Sequence, residues 1–362
     1  MSILDVGVGK GGDILKFFSA KIGKYVGIDP DAHGINSSTD GAISRYNNFR
    51  TKFPQFPKMD FFVADAGTEF NFESQSKVIG KMSDHNKTLV NKTFGSDLDN
   101  LTNNKFDVFN CQMMIHFLLK DDETWNNFCN NINNYLEEEG YLLITTFDGE
   151  LLNKKFNENN GIIESLYTDE GKKKQFFEYK SNYNFKDKNI NINKTGLSYN
   201  AYISLFKEEG HYDTEYIVSQ KFLVDSLRDK CNMSLIEAQM FDTIYDQKKY
   251  FFENVAPKEE NYKSKNFFMK IAEYYNLEDE INKAGLEVSK LHKYYIFKKN
   301  MVSSNTKVSK IISQKTNEKT NEKTNEKTNE KPNELTKILK INKTSKISKT
   351  PKTNKPKTNK PK

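Results

Sequence analysis

Residues 5–13 read DVGVGKGGD, and a carboxylate follows at Asp29. Glycines at this spacing let a backbone approach a nucleotide-like ligand where a strand turns into a helix, which confines the chain to folds built from strand–turn–helix units. Residues 2–8 are expected to form the strand and Lys10–Lys21 the helix, with Ile14, Leu15, Phe17 and Phe18 on one face. A second strand, Tyr25–Asp29, ends in a carboxylate where a ribose diol would lie. Two cofactor classes meet this description. The pattern Gly7-x-Gly9-x-x-Gly12 satisfies the dinucleotide fingerprint, whose acidic partner lies about 20 residues on. Three details favour S-adenosylmethionine instead. Asp5 stands two residues before the first glycine, where dinucleotide folds carry an apolar residue, and Lys10 and Asp13 make the loop polar. A third strand, Met59–Ala64, ends in Asp65, a second carboxylate suited to an adenine amino group.

Further along, a helix is expected over Ala32–Phe53, then a polar stretch over Asn71–Lys105 and a fourth strand at Phe106–Gln112. Trp125, Phe128, Cys129, Ile132 and Leu136 form one apolar stripe on a helix over Asp121–Glu139, stopped by Gly140. Tyr141–Phe147 reads as a buried fifth strand. Residues 150–215 break the rhythm with Asn, Lys and Tyr and are expected as an insertion over the ligand edge. A helix over Gln220–Asn232, a strand over Ser234–Thr243 and a last strand over His292–Lys299 complete the body. Strands alternating with helices imply an α/β fold with a mostly parallel, doubly wound sheet. Ligands of such sheets bind beyond the carboxyl ends of the strands, where Gly7, Asp29, Asp65 and Gln112 fall.

Charge separates the body from the tail. The chain as a whole carries +6, but residues 303–362 hold 17 lysines against five glutamates, so the remainder is net negative. That tail contains four TNEK units (Thr316–Lys331), ends in PKTNKPKTNKPK, and is expected to be disordered. An anionic substrate must therefore meet locally placed cations on the body. Three widely spaced cysteines and five scattered histidines argue against a disulfide framework or a zinc site, so no metal is expected. No apolar run has the ~18 residues of a membrane span, and the chain reads as intracellular. Its first residues are already strand, so the expectation is either a piece of a longer polypeptide or the loss of whatever normally precedes the strand.

Taken together, several segments resemble the mRNA cap (guanine-N7) methyltransferases, in particular the methyltransferase domain of capping enzymes from large DNA viruses such as poxviruses. They are ILDVGVGKGGDILKF (3–17), IDPDAHGI (28–35), RYNN (45–48), FVADAG (62–67), FNCQMMIHF (109–117) and GYLLITTFDGELL (140–152). DTEYIV (213–218), MFDTIYDQKKYF (240–251), KNFF (265–268) and YYIFKK (294–299) follow in the same order. The resemblance implies a Rossmann-like class I methyltransferase with a seven-stranded sheet, a cap-binding insertion and S-adenosylmethionine as cofactor, the domain covering residues 1–302. It assigns cofactor contacts to Asp5, Gly7, Gly9, Asp29, Asp65, Gln112 and Phe117, the last replacing a family tyrosine. It places Lys10, Lys16 and Arg45 against the cap triphosphate and His116 and Glu215 in the guanine pocket. His292 or Tyr294 stands where a last cap-contacting tyrosine is found.

The implied partner is RNA with a GpppN 5′ end. A stimulatory subunit and upstream triphosphatase and guanylyltransferase domains are family companions, as is a lysine upstream of the first strand. The compartment would be a viral factory or virion for a viral protein and the nucleus for a cellular one. From the residues alone, His116 beside Met114, Ile115 and Phe117 could equally be a core histidine, and Lys10, Lys16 and Arg45 solvated surface. Two other functions stay open at this stage: a non-catalytic cap-binding subunit and a small-molecule methyltransferase.

Overall fold

Apolar runs flanked by well-capped helices build a two-sided sheet. The computed structural model describes residues 1–95, 104–187, 189–255, 258 and 277–301. The expectations for 265–268 and for the tail at 303–362 lie outside the described residues. The strands are β1 (Ser2–Val6), β2 (Lys24–Asp29), β3 (Met59–Val63), β4 (Phe106–Gln112), β5 (Leu136–Phe147), β6 (Ile162–Asp169), β7 (Lys172–Ser181), β8 (Ser198–Ile203), β9 (Asp213–Tyr216), β10 (Met233–Met240) and β11 (His292–Lys299). The helices are α1 (Ile14–Ser19), α2 (Ala32–Asn36), α3 (Ala42–Lys52), α4 (Phe72–Ile79), α5 (Asp84–Phe94), α6 (Ile115–Leu118), α7 (Asp122–Tyr135), α8 (Gly149–Glu158), α9 (Gln220–Cys231), α10 (Phe241–Tyr250) and α11 (Glu280–Ser289).

Seven strands form the main sheet in the order β10-β11-β5-β4-β1-β2-β3. The five from β3 to β5 run parallel, whereas β11 is antiparallel to both β5 and β10. This is the doubly wound α/β sheet expected from the alternation. Successive residues feed opposite cores: Ile3, Tyr25, Phe61 and Val108 pack with Ile14, Ala42 and Tyr46, while Leu4, Val26, Phe62 and Phe109 pack with Val90, Trp125, Phe128 and Leu223. Trp125 also donates to Ser226 Oγ at 2.6 Å, tying α7 to α9, and its truncation should cost about 3–5 kcal/mol. Among the described residues, no helix is long and apolar enough to cross a membrane.

The insertion is a second, four-stranded antiparallel sheet, β6-β7-β8-β9. Its core joins Phe177, Tyr179 and Tyr199 to Phe147 of β5, Leu152 and Phe156 of α8, and Leu291 just before β11. The insertion therefore shares side chains with the carboxyl end of the main sheet.

Several boundaries differ from expectation. β1 ends at Val6 and α1 begins at Ile14, because Gly7, Gly9 and Gly11 all adopt positive φ. The helix expected over 32–53 is two helices, broken by a turn in which Gly41 N–H donates to Ser37 O at 3.1 Å. Among its described residues the polar stretch 71–105 holds two helices, capped by Asn71 and Ser83 side chains. Helix α7 stops at Tyr135 rather than at Gly140, since Lys299 Nζ reaches across from β11 to the carbonyls of Asn133 (3.1 Å) and Leu136 (2.9 Å). The strand expected over Ser234–Thr243 gives way to α10 at Phe241.

Candidate active site

The strand order reverses between β1 and β4, and at the carboxyl ends of these strands lies a cavity of about 550 Å³. Gly7, Asp29, Asp65, Met114 and Phe117 are among its lining residues. Gly7 has φ +77°, and a Cβ there would meet Met114 Cβ at 2.7 Å, so only glycine fits between the two walls. Gly9 N–H donates to Asp29 Oδ2 at 2.8 Å, and Asp31 N–H to Oδ1 at 2.8 Å. The first glycine turn and the end of β2 are thus one hydrogen-bonded unit. Burial pushes the Asp29 carboxyl up, with those two amides opposing the shift. Asp65 takes Gly67 N–H at 2.9 Å and Thr68 Oγ1 at 3.1 Å. The floor carries an uncommon conformation, Met113 at φ +55°, held by its amide on Thr145 O at 2.9 Å.

A second set of groups converges beside this cavity. His116 is 3% exposed, and its Nε2 lies 3.7 Å from Glu215 Oε1. Glu215 and Tyr199 are paired residues on β9 and β8, and Tyr199 donates to Glu215 Oε2 at 2.7 Å. From Tyr199 the contacts run on to Tyr179 (ring centroids 6.0 Å), then Phe147 (5.0 Å) and His292 (4.1 Å). Among the described residues, His116 Nδ1, Tyr179 Oη and His292 Nε2 are buried without a hydrogen-bond partner. Buried polar atoms in native proteins are normally paired, so three orphans in one contact chain mark a place for a polar ligand. His292 Nδ1 donates to Val288 O at 2.9 Å, which leaves Nε2 a bare acceptor. Burial lowers both imidazole pKa values, that of His116 against the pull of Glu215 and that of His292 to about 4. Both rings are neutral at pH 7.

The two sets meet at α6. Phe117 lines the cavity while His116, the residue before it, faces Glu215, and the two rings are 4.2 Å apart. His116 is thus a buried histidine, yet not one whose bonds are satisfied by the core.

The three cations occupy the segments that follow β1 and β2. Lys10 pairs with Asp40 at 2.5 Å and Lys16 with Asp13 at 2.7 Å. Arg45, on α3, forms no ion pair among the described residues. Three expected residues point elsewhere. Asp5 is 3% exposed and inside the sheet, accepting from Tyr25 Oη (2.5 Å) and Asn110 Nδ2 (2.7 Å), so it braces the strands instead of lining the cavity. Burial raises its carboxyl to about 6. Gln112 spends both ends of its amide on Asn110 Oδ1 (2.8 Å) and Thr145 Oγ1 (3.0 Å). Tyr294 bonds Glu237 and Gln239 on β10, away from Glu215, and of the two alternatives only His292 joins the aromatic chain. Sequence reading missed Tyr179 and Tyr199, whose one signal is their place in aromatic strands of the insertion.

The sequence model of the mRNA (guanine-N(7))-methyltransferase domain matches residues 1–335. The probable mRNA-capping enzyme of Acanthamoeba polyphaga mimivirus is 36% identical over 326 residues, covering 87% of this chain and 27% of that protein. mRNA cap guanine-N(7) methyltransferase 1 of Arabidopsis thaliana is 26% identical over 163 residues, 44% of this chain and 37% of its own length. The chain therefore spans about a quarter of the viral relative and little over a third of the plant one. A solved S-adenosylmethionine-dependent methyltransferase from Clostridium acetobutylicum ATCC 824 aligns with TM-score 0.40 and 11% identity over 83% of this chain and 84% of its own.

Proposed function

This chain belongs to the mRNA (guanine-N(7))-methyltransferase family, and from that premise we propose that its residues 1–302 methylate N7 of the 5′-terminal guanosine of GpppN-capped RNA. Membership implies S-adenosylmethionine as methyl donor, and the residues at the first cavity fit it. Glycine alone is tolerated at position 7, a carboxylate stands at the end of β2 for a ribose diol, and Asp65 stands at the end of β3 for an adenine amino group. The donor supplies an electrophilic methyl group on a sulfonium.

One observation carries the reading: adjacent residues on α6 face different partners, Phe117 lining the first cavity and His116 lying against Glu215. That brings an acceptor base and a methyl donor to either side of one helical turn. Guanine N7 has a lone pair and no proton, so the reaction requires no general base, and neutral His116 fits a positioning role. Glu215, oriented by Tyr199, would accept from the N1 and N2 protons of guanine. That edge selects guanine over adenine, and the negative charge stabilises the ring as it turns cationic. Holding the reactants in line can contribute roughly 7–11 kcal/mol. Lys10, Lys16 and Arg45 would take the triphosphate, the first two exchanging Asp40 and Asp13 for phosphate oxygens.

The test is methyl transfer from labelled S-adenosylmethionine to GpppA-capped RNA, with N7-methylated cap as control. Label on the first acceptor and not the second is expected. Label on neither, with the cofactor bound, would replace the enzymatic reading with a binding one or call for a partner subunit.

A further inference from the structure

The segment Val63–Phe70, which carries Asp65, makes backbone bonds through Ala64 N to Asp29 O (3.1 Å) and Thr68 N to Asp65 O (3.2 Å), and is otherwise held mostly by side chains. Asn86 bonds both Val63 N (2.6 Å) and Val63 O (3.0 Å). Gln75 accepts from Asp65 N (2.8 Å) and donates to Asp65 O (2.8 Å), Thr68 O (3.2 Å) and Glu69 O (3.1 Å). Asn131 donates to Ala66 O (3.1 Å) and Thr68 O (2.9 Å) and accepts from Phe70 N (2.9 Å). Asn127 donates to Gly67 O at 3.1 Å and Tyr135 to Phe70 O at 2.8 Å. Gln75 and Asn131 are 0% and 1% exposed. A primary amide offers an N–H donor and a carbonyl acceptor together, the same pair of groups that a strand partner's backbone presents. These helices therefore replace a missing neighbour strand for a loop that has none.

Within the loop one donor of a buried residue is left over. Among the described residues the amide of Ala66 has no partner, although Ala66 is 3% exposed. It follows directly on the Asp65 carboxylate, giving an acceptor and a donor side by side at the cavity wall. Adenine presents a donor at N6 and an acceptor at N1, the matching order. Hypoxanthine presents the reverse at both atoms.

We propose that Gln75, with Asn127 and Asn131, is a positioning residue that sets selectivity for the adenine base by fixing the Asp65–Ala66 pair. The inference rests on the assignment of Asp65 to adenine given above. Its reach is the cofactor's base, not the acceptor RNA.

The experiment is calorimetric titration of the full chain with S-adenosylhomocysteine and S-inosylhomocysteine. The parent should prefer the adenine ligand by about 100-fold, since two bonds invert together. Gln75→Met keeps the volume and removes the amide, and should cut the preference about tenfold by weakening the adenine ligand alone. A purely structural role would weaken both ligands equally and leave the ratio intact, which would overturn the proposal. Asn127→Ala, which removes one half-exposed bond, should lower the ratio severalfold and keeps the test alive if the Gln75 variant does not fold. An unchanged ratio there would equally count against it. Asp65→Asn separates the premises: if it leaves the preference intact, the adenine assignment falls and the proposal with it. If it abolishes the preference while Gln75→Met does not, only the clamp is wrong.

Discussion

Nε2 of His116 lies 3.7 Å from Oε1 of Glu215, and Tyr199 holds the carboxylate's other oxygen at 2.7 Å. Tyr199 thus orients the carboxylate from one side, with the neutral His116 ring beside its other oxygen, ahead of any base. Preorganised charge of this kind is worth most where charge develops during reaction. Replacing Glu215 by Gln keeps shape and removes charge. Methyl transfer to capped RNA should fall about 100-fold or more, with S-adenosylmethionine affinity by calorimetry unchanged. Equal losses in both would show that Glu215 supports the cofactor cavity rather than the acceptor.

Asp29 should behave oppositely. Its two oxygens hold the amides of Gly9 and Asp31, so Asp29→Ala frees the glycine turn as well as removing a ribose acceptor. Cofactor affinity should drop by about 10–100-fold, the range for lost bonds to a charged group. Binding of capped RNA without cofactor should hold, which a fluorescence titration with labelled cap would show.

Lys10 and Lys16 are tethered to Asp40 and Asp13. If Lys10 exchanges its partner for phosphate, Lys10→Ala should reduce the slope of log affinity against log salt for capped RNA by about one. Asp40→Asn releases the lysine beforehand and should tighten binding. A slope unaltered by Lys10→Ala would place that lysine outside the RNA contact.

Much of the sheet was legible in the sequence because it rests on local signals. Apolar runs at Phe106–Gln112 and His292–Lys299 match β4 and β11 residue for residue, and the glycine loop announces the turn after β1. What stayed hidden depends on contacts between distant residues. Asn86 and Gln75 lie in the polar stretch and Asn131 is no member of its helix's apolar stripe, yet each is buried, with its amide on backbone of the Asp65 loop. The end of α7 depends on Lys299, more than 160 residues away. Asp5 looks like a ligand-facing acid by position, but the register of β1 on β4 and β2 turns it toward Asn110 and Tyr25. His116 was ambiguous for the same reason: its meaning lies in Glu215, which arrives on a strand of the insertion.

Acid stability should reveal two buried groups of opposite sign. His292 falls from an ordinary value of 6.5 to about 4, so between those limits the unfolded chain binds more protons than the folded one. Its effect is a loss of stability as pH falls from about 6.5 toward 4. Asp5 rises from 3.8 to about 6, so the folded chain binds more protons there. Its contribution is full below 3.8 and disappears as pH rises through about 6. In the parent the two trends oppose each other over nearly the same window. His292→Phe, relative to the parent, should gain about 2 kcal/mol on going from pH 7 to pH 5. Asp5→Asn, relative to the parent, should gain a similar amount on going from pH 4 to pH 7, roughly 2 kcal/mol. Urea unfolding of the three proteins at pH 4, 5 and 7 measures both differences. Parallel pH curves for His292→Phe and the parent would mean that His292 is no more buried from protons in the folded chain than in the unfolded one.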